Sequence, residues 1–150
     1  MQPKDFKIKT LGPCKINSPI ALSKVKGDLI FNFVEETEKI LFNVVWNDHN
    51  QNGNPQTPPL FMERAGPREK IYFDPSKTTV AIVTCGGLCP GINNVIRSLV
   101  MALYYRYGIR KILGVQYGYK GFIPDYGYPF LELNPGVVTN IHQFGDTILG

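Results

Sequence analysis

Two adjacent glycines, Gly86 and Gly87, followed at short spacing by Pro90 and Gly91, are the residues of this chain whose types and spacing suit chemistry. With no Cβ in the way, a backbone can turn sharply there and come close to a ligand. Pro90 suits the opening of a helix, where its missing N–H costs little. A helix beginning at this point aims unpaired N–H groups and a partial positive charge at the turn, and anionic oxygens bind well in such a place. The chemistry on offer is phosphate binding. A glycine-rich strand-to-helix turn also occurs where nothing binds, and the spacing alone leaves both readings open. The turn has neither the Lys-Ser/Thr that closes a Walker A loop nor the G-x-G-x-x-G spacing of dinucleotide folds. Cys85 and Cys89 bracket it with three residues between them, and no second cysteine pair or paired histidine follows. That is too few ligands for a zinc site and not the C-x-x-C spacing of a redox pair, so no metal site is expected and both cysteines read as small residues packing the turn. Three cysteines, an odd number, argue against a disulfide framework.

The elements that must hold this turn are legible on both sides of it. Five of the six residues 79–84 are β-branched and the run is nearly continuous, which suits a central parallel strand covered on both faces. Ile92, Val95, Ile96, Leu99, Val100 and Leu103 recur at helical spacing and predict one apolar stripe of a helix reaching Tyr107. Asn93, Asn94, Arg97 and Arg106 fall mostly off that stripe, and Gly108 is a suitable stop. Residues 111–116, Lys-Ile-Leu-Gly-Val-Gln, predict the second parallel strand. Strand, helix and strand in this order form a right-handed crossover, and ligands of such sheets bind beyond the carboxyl ends of the strands. Gly86/Gly87 and Gly118/Tyr119 each follow a strand end, so they are expected to share one mouth. Tyr119 either lays its ring on a base or ribose or packs within its own turn.

The expected fold class is α/β, the start of a Rossmann-like doubly wound parallel sheet over residues 79–150, preceded by a small β-rich accessory region over 1–78. In that region 29–33 and 40–46 are rich in strand formers and are joined by polar Glu35-Glu36-Thr37-Glu38, which predicts a hairpin. Residues 47–59 have the composition of an exposed loop, and 71–73 form a further short strand ended by Asp74-Pro75. Arg64, Arg68 and Lys70 read as solvated or interface charges in preference to an anion site. Downstream, 130–133 predict a short strand. Asn134 or its neighbour caps a short helix with Pro135 in its first turn and Val137, Val138, Ile141 and Phe144 on its apolar face. Gly145-Asp146 ends it.

Hydrophobic residues make up 43% of the chain and the net charge is a mild +4, ordinary for a globular protein. Lys4, Lys7, Lys9, Lys15, Lys24 and Lys26 face only Asp5 in the first stretch. They read as a solvated surface, and no aromatic-plus-basic motif supports a nucleic-acid partner. No apolar run approaches the ~20 residues of a membrane span, and the polar N-terminus has no signal-peptide core. The expectation is a cytoplasmic protein with neither membrane nor nucleic acid as partner. Because two parallel strands cannot close a core and open sheets usually have about 4–6 strands, the chain is expected to be the N-terminal piece of a longer protein.

The run Gly86-Gly87-Leu88-Cys89-Pro90-Gly91-Ile92-Asn93-Asn94-Val95-Ile96-Arg97 resembles the first signature of the phosphofructokinases, a Gly-Gly, two variable residues, Pro-Gly-x-Asn and a helix carrying Ile-Arg. Gly118-Tyr119-Lys120-Gly121-Phe122 resembles the family's Gly-Tyr-x-Gly turn after the second strand. Gly145-Asp146-Thr147-Ile148-Leu149-Gly150 resembles the segment before its Ser-x-Arg loop. The Cys-Gly-Gly-Leu-Cys-Pro form, with Arg64-Ala65-Gly66-Pro67-Arg68 and Lys70-Ile71-Tyr72-Phe73 ahead of it, is most similar to the long-chain branch of plants, trypanosomatids and some bacteria. The resemblance covers residues 61–150. It implies transfer of the γ-phosphoryl group of ATP to the 1-hydroxyl of fructose 6-phosphate, with Mg²⁺ bound mainly by residues beyond this stretch, in a homo-oligomer. Pyrophosphate as donor, or a non-catalytic nucleotide-binding or subunit-interaction chain, are the alternatives. By the same resemblance Gly87 sits at the donor phosphates, Gly86 shapes the turn and Tyr119 borders the nucleotide. The family's metal loop, base motif and sugar-phosphate arginines are not among these 150 residues, so no catalytic residue is assigned and the 150-residue chain is expected to be inactive.

Overall fold

A computed structural model describes residues 3–25, 27–28, 30–42, 60–85 and 89–150. It divides into two compact units, residues 1–72 and 73–150.

The first unit is built from short ribbons. β1 (Ile16–Asn17) pairs antiparallel with β4 (Lys70–Ile71), and β2 (Lys39–Leu41) pairs antiparallel with β3 (Phe61–Glu63). The predicted hairpin between 29–33 and 40–46 is therefore corrected. Residues 35–38 do turn, with Glu38 N donating to Glu35 O, but the run before the turn goes elsewhere. Asn32 bridges Ser23, and its side-chain amide donates to the carbonyls of Ser23 and Val25. The partner of β2 comes instead from residues 61–63. Leu29 and residues 43–46 of the predicted strands, with all of the predicted 47–59 loop, lie outside the described residues. The strand expected at 71–73 stops at Ile71, and beyond it Asp74 Oδ1 accepts from both the backbone N–H and the hydroxyl of Ser76. Arg68 is spent on structure. Its guanidinium donates to the carbonyls of Val34, Glu35 and Arg64, while Arg64 pairs with Glu38 and Lys70 bonds Asn17. Arg68, with its side chain 19% exposed, is therefore not the solvated or interface charge expected from the sequence. Val34 is the buried hydrophobic residue of the unit among those described, and Ile40, Leu41, Phe42, Phe61 and Met62 stay exposed.

The second unit is α/β. Its sheet has the order β5 (Thr79–Val83), β6 (Lys111–Val115), β7 (Leu131–Glu132). β5 and β6 are parallel, in register from Thr79↔Lys111 to Val83↔Val115, while β7 joins β6 antiparallel. The sheet is thus mixed among the described residues. β6 holds the middle and β5 an edge, which corrects the expectation of a central first strand. β5 alternates, with Ile82 buried and Ala81 exposed, because helix packing covers one face of it here.

α1 (Ile92–Met101) connects the parallel strands and continues as one π-helical turn, Ala102–Arg106. Gly91 at φ +85° caps its start, one residue after Pro90. Its end follows expectation. Gly108 adopts the left-handed conformation at φ +71°, and Ile109 N donates back to Leu103 O. The buried stripe is rotated from the predicted one. Ile96, Val100 and Asn93 are buried, whereas Val95 and Leu99 remain 53% and 46% exposed. The amide of Asn93 finds backbone partners, and this removes the usual penalty for burying a polar group. Ile82, Ile96, Val100, Ile109, Ile112, Leu133, Val138, Ile141 and Leu149 form one cluster. Fully burying one such side chain contributes roughly 1.5–3 kcal/mol.

The predicted strand at 130–133 forms at Leu131–Glu132. Asn134 Oδ1 accepts from Val137 N as a cap would, but the chain then makes a turn and a 3-10 helix, Ile141–Gln143, in place of the predicted short helix. Val138 and Ile141 are buried, and Val137 and Phe144 are exposed. Among the described residues no helix is long and apolar enough to cross a membrane.

Candidate phosphate-binding site

The parallel register puts the carboxyl ends of β5 and β6 side by side, at Val83 and Val115. The backbone then leaves the sheet in two adjoining turns. After β5 come Thr84 and Cys85, then the stretch leading to Pro90, Gly91 and α1. After β6 come Gln116 and Tyr117, then a 3-10 helix, Gly118–Phe122. The turns touch, since a Cβ at Gly118 would stand 3.1 Å from the Thr84 carbonyl oxygen. Thr84 and Gly118 are thus brought together just beyond the two strands. Gly86 and Gly87, the residues predicted to meet phosphate, lie outside the described residues, as does Leu88.

Tyr119 projects from the second turn. Its ring is 69% exposed and lies near Phe122, with centroids 6.5 Å apart and planes 30° from parallel. It is not buried in its own turn. Tyr117 occupies the left-handed region at φ +58° and packs its ring 4.5 Å from that of Tyr128. Gly121 closes the turn against β6, buried where a Cβ would lie 2.2 Å from the Gln116 carbonyl oxygen. Only glycine fits so close to backbone.

A third segment completes the rim. Tyr117 N donates to Leu149 O at 2.7 Å, and Gly150 lies where a Cβ would be 2.8 Å from the Tyr117 ring. Residues 144–148 reach back to the first turn of α1 through Asn93, which is 2% exposed. Its Nδ2 donates to Phe144 O and Asp146 O, and its Oδ1 accepts from Ile148 N. Asn93 and Tyr117 were absent from the sequence-predicted site. The signal for Asn93 was its place in the Pro-Gly-x-Asn run, and no local signal marks Tyr117.

Polar groups at the mouth suit an anionic ligand. Thr84 Oγ1 is buried and has no hydrogen-bond partner among the described residues, a donor with capacity to spare. No described side chain caps the start of α1. Cys85 and Cys89 are exposed free thiols, which corrects their reading as packing residues: they flank the mouth and do not line the core. Among the described residues no three of His, Cys, Asp or Glu cluster as a metal would require, so the described mouth does not fit a divalent cation on protein ligands alone.

The Phosphofructokinase family profile matches residues 79–150. The chain is 48% identical over 146 residues to the ATP-dependent 6-phosphofructokinase of Borreliella burgdorferi, and this covers 97% of the chain and 32% of that relative. The ATP-dependent 6-phosphofructokinase of Amycolatopsis methanolica is 40% identical over the same shares. That of Trypanosoma brucei brucei is 41% identical over 119 residues, 79% of the chain and 24% of the relative. The likeness thus extends well before residue 61, where the sequence resemblance was placed. The chain spans about a third of the length of the first two relatives. The profile match, together with these relatives, identifies residues 79–150 as phosphofructokinase-family sequence.

Proposed function

We propose that this chain is the N-terminal part of an ATP-dependent 6-phosphofructokinase and that the mouth beyond β5 and β6 holds the phosphoryl donor. The observation that carries the reading is the contact of two turns at the carboxyl ends of parallel strands, Gly118 against the Thr84 carbonyl, within the stretch that matches the family. In this reading Gly86 shapes the first turn, Gly87 lies against the donor phosphates, and the exposed ring of Tyr119 borders the nucleotide. The 1-hydroxyl oxygen of fructose 6-phosphate attacks the γ-phosphorus of ATP. The bond from that phosphorus to the β,γ-bridging oxygen breaks, ADP leaves, and the hydroxyl proton passes to a base. Such transfer depends mostly on positioning and charge stabilisation, and this chain supplies the positioning of the donor. Mg²⁺ would stabilise charge on the phosphates. The described residues provide no carboxylate cluster for it, and no step here is assigned to it.

The finer architecture we infer is a Rossmann-like doubly wound sheet of which β5, α1 and β6 are the opening unit. The accessory β-rich region, in which Val34 is the buried apolar residue among those described, suits packing on other surfaces of a homo-oligomeric cytoplasmic enzyme of glycolysis. The test is an assay of the complete protein with fructose 6-phosphate and either ATP or pyrophosphate. ATP-dependent formation of the bisphosphate is expected, with no activity from the 150-residue chain alone. Turnover with pyrophosphate and not ATP would replace the donor, and turnover by the short chain would overturn the reading.

A further inference from the structure

The side chain of Asn93 is buried and uses its whole amide on backbone 51 to 55 residues further along the chain. Nδ2 donates to Asp146 O at 2.6 Å and to Phe144 O at 3.2 Å, and Oδ1 accepts from Ile148 N at 3.1 Å. Two donors and one acceptor on one short side chain match only asparagine among residues of this size. The segment it grips is bonded at its other end, where Leu149 O accepts from Tyr117 N. Residues 144–149 are thus a strap from the first turn of α1 to the turn that carries Tyr119.

We propose that Asn93 is a positioning residue for the nucleotide. It holds the strap against α1, and the strap fixes the distance between the start of the helix and the Tyr117–Phe122 turn. This rests on the proposed function, because it takes that gap to be where the donor binds. A core residue chosen only for packing would not need an amide. Leucine would fill the volume, and the three part-buried backbone groups would then lose this partner. Aspartate has the same shape but sets a carboxylate oxygen against the carbonyls of Phe144 and Asp146.

The experiment compares wild type, Asn93→Asp and Asn93→Ser in the complete protein. The expected result is a KM for ATP at least tenfold higher in both variants, with the KM for fructose 6-phosphate within twofold of wild type. Both constants rising together, or neither moving, overturns the proposal. Should the variants not fold, hydrogen exchange on wild type decides. A non-hydrolysable ATP analogue is expected to slow exchange at the amides of both Ile148 and Tyr117. Slowing at Tyr117 with Ile148 unchanged overturns the role of Asn93. Wild type that binds the analogue without phosphorylating fructose 6-phosphate sinks the functional reading instead, and the exchange result still decides on Asn93.

Discussion

Replacing Gly121 by alanine should both destabilise the second unit and impair binding of the donor. The added Cβ would lie 2.2 Å from the Gln116 carbonyl oxygen and 2.7 Å from Val115 Cγ1. Carbon–oxygen contacts settle at about 3.3 Å or more, so roughly 1 Å of separation must be found. Neither neighbour can yield cheaply. One is backbone at the end of β6, and the other is a fully buried side chain. Overpacking costs about 1–3 kcal/mol, and a clash with backbone belongs at the upper end. The relief available is for the 3-10 turn to swing outward, which carries Tyr119 with it. Gly145→Ala is the control, since a Cβ there meets nothing within 4 Å and the change should stay within about 0.5 kcal/mol. Urea denaturation of the complete protein, read as the shift in midpoint at constant slope, measures the first effect, and the KM for ATP measures the second. A Gly121→Ala protein that unfolds at the wild-type midpoint would refute the packing argument. One that is destabilised but keeps the wild-type KM for ATP would separate Tyr119 from the donor.

Three further outcomes rest on the same geometry. Gly87→Val in the complete protein should weaken donor affinity far more than sugar-phosphate affinity, as separate titrations of the two substrates would show; equal loss of both would count against Gly87. Ile112→Ala, at a fully buried position on the central strand, should cost about 2–5 kcal/mol, whereas Leu99→Ala on the open side of α1 should cost much less; equal costs would mean that the core has been misplaced. Asp74 has its carboxyl held below its ordinary pKa, first by the Ser76 hydroxyl and then by the Ser76 N–H. A depressed carboxylate contributes stability above its unfolded pKa of about 3.9 and loses it as pH falls through the folded value. The stability gap between wild type and Asp74→Asn should therefore be present at pH 7 and shrink as the solution is acidified below the unfolded pKa, and a gap that stays flat through that acid range would contradict the assignment.

Local signals carried much of the second unit. A β-branched run produced β5 nearly to the residue, the run 111–116 produced β6, a left-handed glycine stopped the helix, and the strand–helix–strand order foretold that the chain leaving the two strand ends would lie together. The failures have a common cause, which is that the deciding partner was far away in sequence. The apolar spacing marked one stripe through Val95 and Leu99, and the burial of Asn93 in their place depended on carbonyls at Phe144 and Asp146. The hairpin failed because Asn32 found the carbonyls of Ser23 and Val25, so β2 was free to pair with β3. β5 read as a doubly covered strand because composition reports apolar character and cannot report which neighbours are present. Of the site, the turns could be read from glycine spacing, but the strap could not, since nothing in Gly145-Asp146-Thr147 by itself points toward Asn93.

Leu149 is fully buried, its side chain lying over Gly114 in the middle of β6. During synthesis, then, the hydrophobic layer of the second unit stays open on the ribosome until almost the last of these residues has emerged. At ~5–20 residues per second that leaves Ile112 and its neighbours uncovered for seconds, a window in which a chaperone or a neighbouring nascent chain can reach them before the sheet of the second unit is sealed.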